Sequence, residues 1–183
     1  MINFDLLHKS IGFYQQFGFE RIEAPWTVTA AVSAITKPPD RKDFALMDKG
    51  KVLVASGEQS FLYLYLKGFL PKGRFQTITP CFRDEPFDST HTKYFLKNEL
   101  IITDKPSMDT VRTTVGMAKE FFEGITGEPI KVVSTSETSY DIYYNDIELG
   151  SYGIRECDFL EWVYGTGIAE PRTSAAIKKY GLS

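Results

Sequence analysis

The sequence predicts an α+β fold, on three observations. Residues 4–17 and 107–125 carry apolar side chains at helical spacing, the first as Phe4, Leu7, Ile11 and Tyr14, the second as Val111, Val115, Ala118, Phe122 and Ile125. Residues 75–82 alternate as a strand does, and residues 95–102 read as a second strand after a polar loop. Three further runs, residues 130–134, 142–144 and 147–154, read as short strands, the last two joined at Asn145-Asp146.

Length and composition bound the rest. The 183 residues fit one domain, taken as residues 1–183, with room for a sizeable core. Hydrophobic residues make up 43% and charged residues 25%, which is ordinary for a soluble globular protein. A net charge of −3 gives no general electrostatic footprint for nucleic acid. Cys81 and Cys157 stand in no metal-ligand spacing and fit a reducing compartment better than a disulfide scaffold. The amino terminus lacks the basic and apolar regions of a signal peptide, and no apolar run is long enough to span a bilayer. A cytoplasmic protein without a membrane partner is the expectation.

Taken in order, the first helix is followed by Gly18, where a terminating glycine belongs. Residues 19–24 form a strand candidate stopped by Pro25. Residues 26–51, with Pro38-Pro39 and the charged run Asp40-Arg41-Lys42-Asp43, show no regular period and read as a surface excursion able to lie over a site. Residues 51–54 read as a short buried strand. Ser56 then stands at the N-cap of a helix running through Leu62, Tyr65 and Leu66 to Gly68. Gly127 marks the end of the second long helix. Near the end of the chain, Gly165-Thr166-Gly167 with a helix behind it lets backbone approach a ligand closely, and Pro171 suits a helix start.

The stretch from Cys81 to Leu100 concentrates chemistry. Arg83, Asp84 and Glu85 end the first strand, Pro86, Asp88, Ser89 and Thr90 supply turn formers, and His91, Phe95 and Glu99 follow. A guanidinium grips phosphate oxygens in pairs, a phenyl ring offers a stacking face, and a carboxylate accepts from an exocyclic amine. These residue types suit a triphosphate and a planar base.

The pattern Phe-Arg-x-Glu, a loop, then His-x-x-x-Phe-x-x-x-Glu resembles the second signature motif of the class II aminoacyl-tRNA synthetases, with Arg83, Glu85, His91, Phe95 and Glu99 on its positions. Gly18-Phe19-x-x-Ile22-x-x-Pro25 resembles the first motif, whose proline lies at the dimer interface in that family. Gly165-x-Gly167-x-Ala169-x-x-Arg172 resembles the third, with Ala169 in place of its last glycine. The three stand in the family's order and span residues 18–172. Asp88-Ser89-Thr90-His91 is similar to the loop of phenylalanyl enzymes, whereas residues 171–175 are closer to seryl enzymes.

The resemblance implies a mostly antiparallel β-sheet flanked by helices, without an anticodon-binding domain. It implies activation of an amino acid by ATP with Mg2+, and transfer to tRNA or to another acceptor; the acidic balance does not support tRNA. A homodimer is expected from the first motif. Arg83 would hold the α-phosphate, Glu85 the adenine amine, His91 and Arg172 the outer phosphates, and Phe95 would stack on adenine. Ser56-x-Glu58 is similar to a Thr-x-Glu that holds the substrate amino group, so Glu58 and Glu99 are candidates to bind the amino acid. Glu58 has the alternative of a first-turn carboxylate complementing the helix dipole. Glu148 and Ser151 are similar to a Glu-x-x-Ser that holds magnesium on ATP, and a hard cation already bound to phosphates needs only one or two protein oxygens. A catalytically silent paralogue that binds amino acid or nucleotide and regulates a partner is the alternative.

Overall fold

The computed structural model describes residues 1–47, 49–84 and 93–181. Helix α1 (Phe4–Gln15) starts where the Asn3 side chain accepts from the amides of Asp5 and Leu6. It ends in paired bonds from Phe19 N to Tyr14 O and from Gly18 N to Gln15 O, with Gly18 at φ 80, the closure that a left-handed glycine permits. Strands β1 (Glu20–Arg21) and β2 (Thr27–Thr29), helix α2 (Ala30–Thr36) and strand β3 (Lys51–Leu53) follow. Ser56 caps α3 (Gly57–Leu66) as the sequence predicts. Strands β4 (Arg74–Phe82) and β5 (Tyr94–Ile102) pair antiparallel from Arg74↔Ile102 to Phe82↔Tyr94. Ser107 caps α4 (Met108–Thr126), which ends at Gly127 with φ 72. The rest is β6 (Lys131–Ser136), β7 (Ser139–Tyr144), β8 (Ile147–Cys157), β9 (Leu160–Glu170) and α5 (Arg172–Tyr180).

Seven strands form one sheet in the order β1-β4-β5-β9-β8-β7-β6, antiparallel except for β1 beside β4. Alternation along β5 sends Leu96, Leu100 and Ile102 to one face, where they pack with Leu7 and Tyr14 of α1, Val111 and Phe122 of α4, and Ala176 of α5. The opposite face carries Phe75, Ile101 and Trp162 against Phe61 and Leu62 of α3 and Val28 and Val52 of the small β2–β3 sheet. Ser56 and Gly57 at the start of α3 cover Glu99, and the layer stops short of Lys97, where the floor of the site lies. The fold is thus α+β with a mostly antiparallel sheet flanked by helices. No helix among the described residues is long and apolar enough to cross a membrane.

Two expectations change. Residues 26–51 hold β2, α2 and, at Lys51, the start of β3, and are not a wholly irregular excursion. Thr29 caps α2, while β2 and β3 pair antiparallel, so long-range pairing supplies order that periodicity in so short a segment cannot reveal. The strand expected over residues 19–24 is only Glu20–Arg21, because Ile22 leaves the ladder after donating to Gln76 O. Residues 160–170, which carry the Gly-x-Gly, form the central strand β9.

Candidate active site

Arg83, Glu58 and Ser151 line one cavity of about 290 Å3, together with Lys97, Arg155 and Tyr164. The segment after α2 closes another wall with Lys37, Arg41 and Lys42. Such a volume is near the lower end of small-molecule sites, which run from about 300 Å3.

Arg83 follows β4 directly. Its Nε donates to Ala55 O at 3.1 Å, and its guanidinium carbon lies 5.1 Å from the Phe95 ring centroid. The bond and the cation–π contact fix the arginine against the floor of the sheet. Phe95 itself sits beneath Arg83 and is not among the lining residues of the cavity.

Glu58 is 3% exposed. Arg155 Nη1 donates to its Oε2 at 2.5 Å, and Trp162 Nε1 donates to its Oε1 at 2.6 Å. Burial pushes its carboxyl above the ordinary range, and the attraction of Arg155 opposes that without cancelling it. The Arg155 guanidinium also lies 4.1 Å from the Tyr164 ring centroid, so carboxylate and ring together set its orientation. Burial likewise raises the Tyr164 hydroxyl, opposed by Arg155.

Glu99, 1% exposed, is out of the cavity and behind Lys97. Its Oε2 accepts from Ser56 Oγ at 2.7 Å, and its Oε1 lies 2.8 Å from Lys97 Nζ as an ion pair without hydrogen-bond alignment. Glu99 therefore positions Lys97, which lines the cavity. A Cβ on Gly57 would come within 2.9 Å of Glu99 Cβ and 2.8 Å of Thr79 Oγ1, so glycine is what lets α3 start directly on the sheet.

Glu148 and Ser151 are three apart on β8, a spacing that puts side chains on opposite faces of a regular strand. Here Ile142 pairs with Gly150 while Tyr143 pairs with Glu148, leaving Leu149 as an extra residue. Leu149 and Tyr152 both enter the α1–α4 core, and Glu148 and Ser151 share the other face. Arg172 Nη1 lies 3.4 Å from Glu148 Oε1, a pair outside the cavity lining. Among the described residues no three His, Cys, Asp or Glu side chains cluster in a manner that holds a metal. Glu148 and Ser151 are nonetheless hard oxygen donors of the kind that suits magnesium on phosphates.

Two glycines of the Gly-x-Gly motif serve packing. A Cβ on Gly165 would come within 2.7 Å of the Tyr152 ring, and one on Gly167 within 3.0 Å of the Tyr14 ring. Gly167 is also the extra residue between the pairs Asn98↔Ile168 and Glu99↔Thr166, and its carbonyl accepts from Tyr14 Oη. Both contacts lie on the helical face, away from the cavity. Glu170 accepts from the amides of Asn3 and Ser174, tying α1 and α5 to the end of β9.

Glu85 and His91 lie outside the described residues, with the whole loop of residues 85–92. Lys97, Arg155 and Tyr164 were not singled out from the sequence. Lys97 alternates with Phe95 and Glu99 and was accessible to strand periodicity. Arg155 carries no local signal, because its partner Glu58 is 97 residues away.

The family model described as tRNA synthetases class II core domain (F) matches residues 59–182. No curated protein matches the chain. Among solved structures, the pyrrolysyl-tRNA synthetase from Desulfitobacterium hafniense is 19% identical with a TM-score of 0.76, covering 96% of this chain and 69% of that one. The seryl-tRNA synthetase from Pyrococcus horikoshii complexed with ATP is 15% identical with a TM-score of 0.77, covering 94% of this chain and 48% of that one. The cytoplasmic serine-tRNA ligase from Naegleria fowleri in complex with AMP is 18% identical with a TM-score of 0.73, covering 93% and 52%. This chain thus spans about half the length of the seryl enzymes. With the family model covering more than half of its residues, the chain belongs to the class II aminoacyl-tRNA synthetase core family.

Proposed function

We propose that the chain is an adenylate-forming ligase that activates an amino acid with ATP. The carboxylate attacks the α-phosphorus in line. A carboxyl oxygen–phosphorus bond forms, the bond from that phosphorus to the bridging oxygen breaks, and pyrophosphate leaves with the electron pair. No protein nucleophile is needed, so positioning and charge carry the catalysis.

The observation that carries this reading is the placement of Arg83, held by Ala55 O and Phe95, on one cavity with Glu58 and Ser151. Arg83 takes the α-phosphate, and adenine stacks on the face of Phe95 away from the guanidinium. Arg172 takes the outer phosphates, and the motif resemblance assigns His91 the same phosphates and Glu85 the adenine amine. Glu58 retains acceptor capacity for the substrate ammonium, since a carboxylate offers about four lone-pair sites and two donors occupy it. Glu99 acts on the amino acid through Lys97. Magnesium, held by Glu148 and Ser151, would neutralise phosphate charge.

ATP–pyrophosphate exchange over an amino-acid panel is the test, and Arg83→Ala is expected to lower exchange by about 100-fold, as for one preorganised charge donor. Near-wild-type exchange in that variant removes Arg83 from the site. Parallel offering of tRNA, a carrier protein and ammonia identifies the acyl acceptor; the net charge of −3 favours one other than tRNA. The homodimer implied by the first motif belongs to the same reading, and sedimentation velocity tests it.

A further inference from the structure

We infer that the acyl substrate is an acidic amino acid, whose side-chain carboxylate is held by Lys97 and Arg155. The inference rests on the adenylate reading above and names the substrate class of the same cavity.

Lys97 on β5 and Arg155 on β8 both face that cavity, with β9 between their strands. Each is braced from behind by a buried carboxylate, Glu99 at 2.8 Å and Glu58 at 2.5 Å. The bracing fixes both cationic heads before a ligand arrives, which lowers the ordering cost of binding. It also leaves donors over. Arg155 has five N–H groups and gives one to Glu58, and Lys97 has three and turns one side toward Glu99. The Tyr164 ring, 4.1 Å from the guanidinium carbon at its centroid, holds Arg155 from one side.

A ligand group that only accepts satisfies these donors, whereas an amide brings two N–H groups of its own into a donor-rich wall. A cationic side chain meets like charge. The lining carries six basic side chains against two acidic ones, Glu58 and Asp84, although Asp43 answers Lys37 at 2.6 Å. Phosphate binding does not account for all of that charge. Arg83 serves the α-phosphate in the proposed reaction, and Arg41 and Lys42 are exposed, whereas Lys97 is 9% exposed on the sheet floor.

Calorimetric titration of the full chain, without ATP, compares L-aspartate with L-asparagine and L-glutamate with L-glutamine. At least one acid is expected to bind about tenfold or more tightly than its amide, the scale of a single well-placed charge contact. Lys97→Met and Arg155→Met should each shrink that preference, with circular dichroism reporting that the variants remain folded. The wild-type comparison decides the matter even if a variant does not fold. Both amides binding as tightly as their acids, or no binding of either acid at millimolar concentration, overturns the inference. ATP titrated in parallel separates the two readings: retained ATP binding with no acid preference sinks the acidic substrate alone, and loss of ATP binding sinks the adenylate reading.

Discussion

Arg155 Nη1 donates to Glu58 Oε2 at 2.5 Å, joining strand β8 to the first turn of helix α3 across the cavity floor. Trp162 also donates to Glu58, and the Tyr164 ring also flanks Arg155. The pair converts a face of the sheet into a walled pocket.

Removing Arg155 strands a buried carboxylate that keeps Trp162 as a donor. Arg155→Met should cost about 2 kcal/mol in urea unfolding, below the full value for a buried pair because the Arg155 side chain is 40% exposed. Glu58→Gln with Arg155→Met should cost less than the sum of the single changes, by about 1 kcal/mol. Strict additivity would mean that the two side chains do not act as a pair.

Burial raises the Glu58 carboxyl above its ordinary 4.5. The folded chain then holds that proton more tightly than the unfolded chain. The associated stability is fully present below the unfolded value and is lost as pH rises through the higher folded one. Glu58→Gln removes the titration, so wild type should lose stability relative to the variant as pH rises from 4.5 through the higher folded value. A constant difference in urea midpoint across that window contradicts this account.

Glycine substitutions should split by face. Gly165→Ala drives a methyl group into the Tyr152 ring and should cost about 1–3 kcal/mol of overpacking strain. Gly12→Ala, within α1, meets nothing within 4 Å and should gain roughly 0.5–1 kcal/mol of helix propensity. Thermal unfolding of the two variants checks both signs.

The Leu149 bulge places Glu148 beside Arg172 and on the face of Ser151. Glu148→Gln should raise the magnesium concentration needed for half-maximal pyrophosphate exchange by about tenfold, the lower range for losing a metal-supporting contact. Chelation of magnesium should abolish exchange in both proteins. An unchanged magnesium profile in the variant would detach Glu148 from the metal.

Local order was written plainly in the chain. Ser56 and Ser107 cap their helices, Gly18 and Gly127 close theirs with positive φ, and β4 and β5 pair across the loop as their alternation implies. These are decided by neighbours within a few residues, so one-dimensional pattern suffices. The same holds for Arg83, which the strand end delivers to the cavity. β2 carries no such signal, because a three-residue strand has no readable period and this one exists only through its pairing with β3, which residues 51–54 did announce.

What the letters alone determined was the inventory: an antiparallel pair, two long capped helices, and a guanidinium, a phenyl ring and carboxylates in a fixed order. Tertiary structure decided which of these meet. Bulges at Leu149 and Gly167 reset which face each side chain takes, and a shift of one residue in a two-residue period exchanges core for cavity. Packing of α3 onto the sheet recruited Lys97, Arg155 and Tyr164 and turned Glu99 into a brace. The reason is that charge complementarity acts over a few ångströms of space, and 97 residues of chain between Glu58 and Arg155 carry no trace of it.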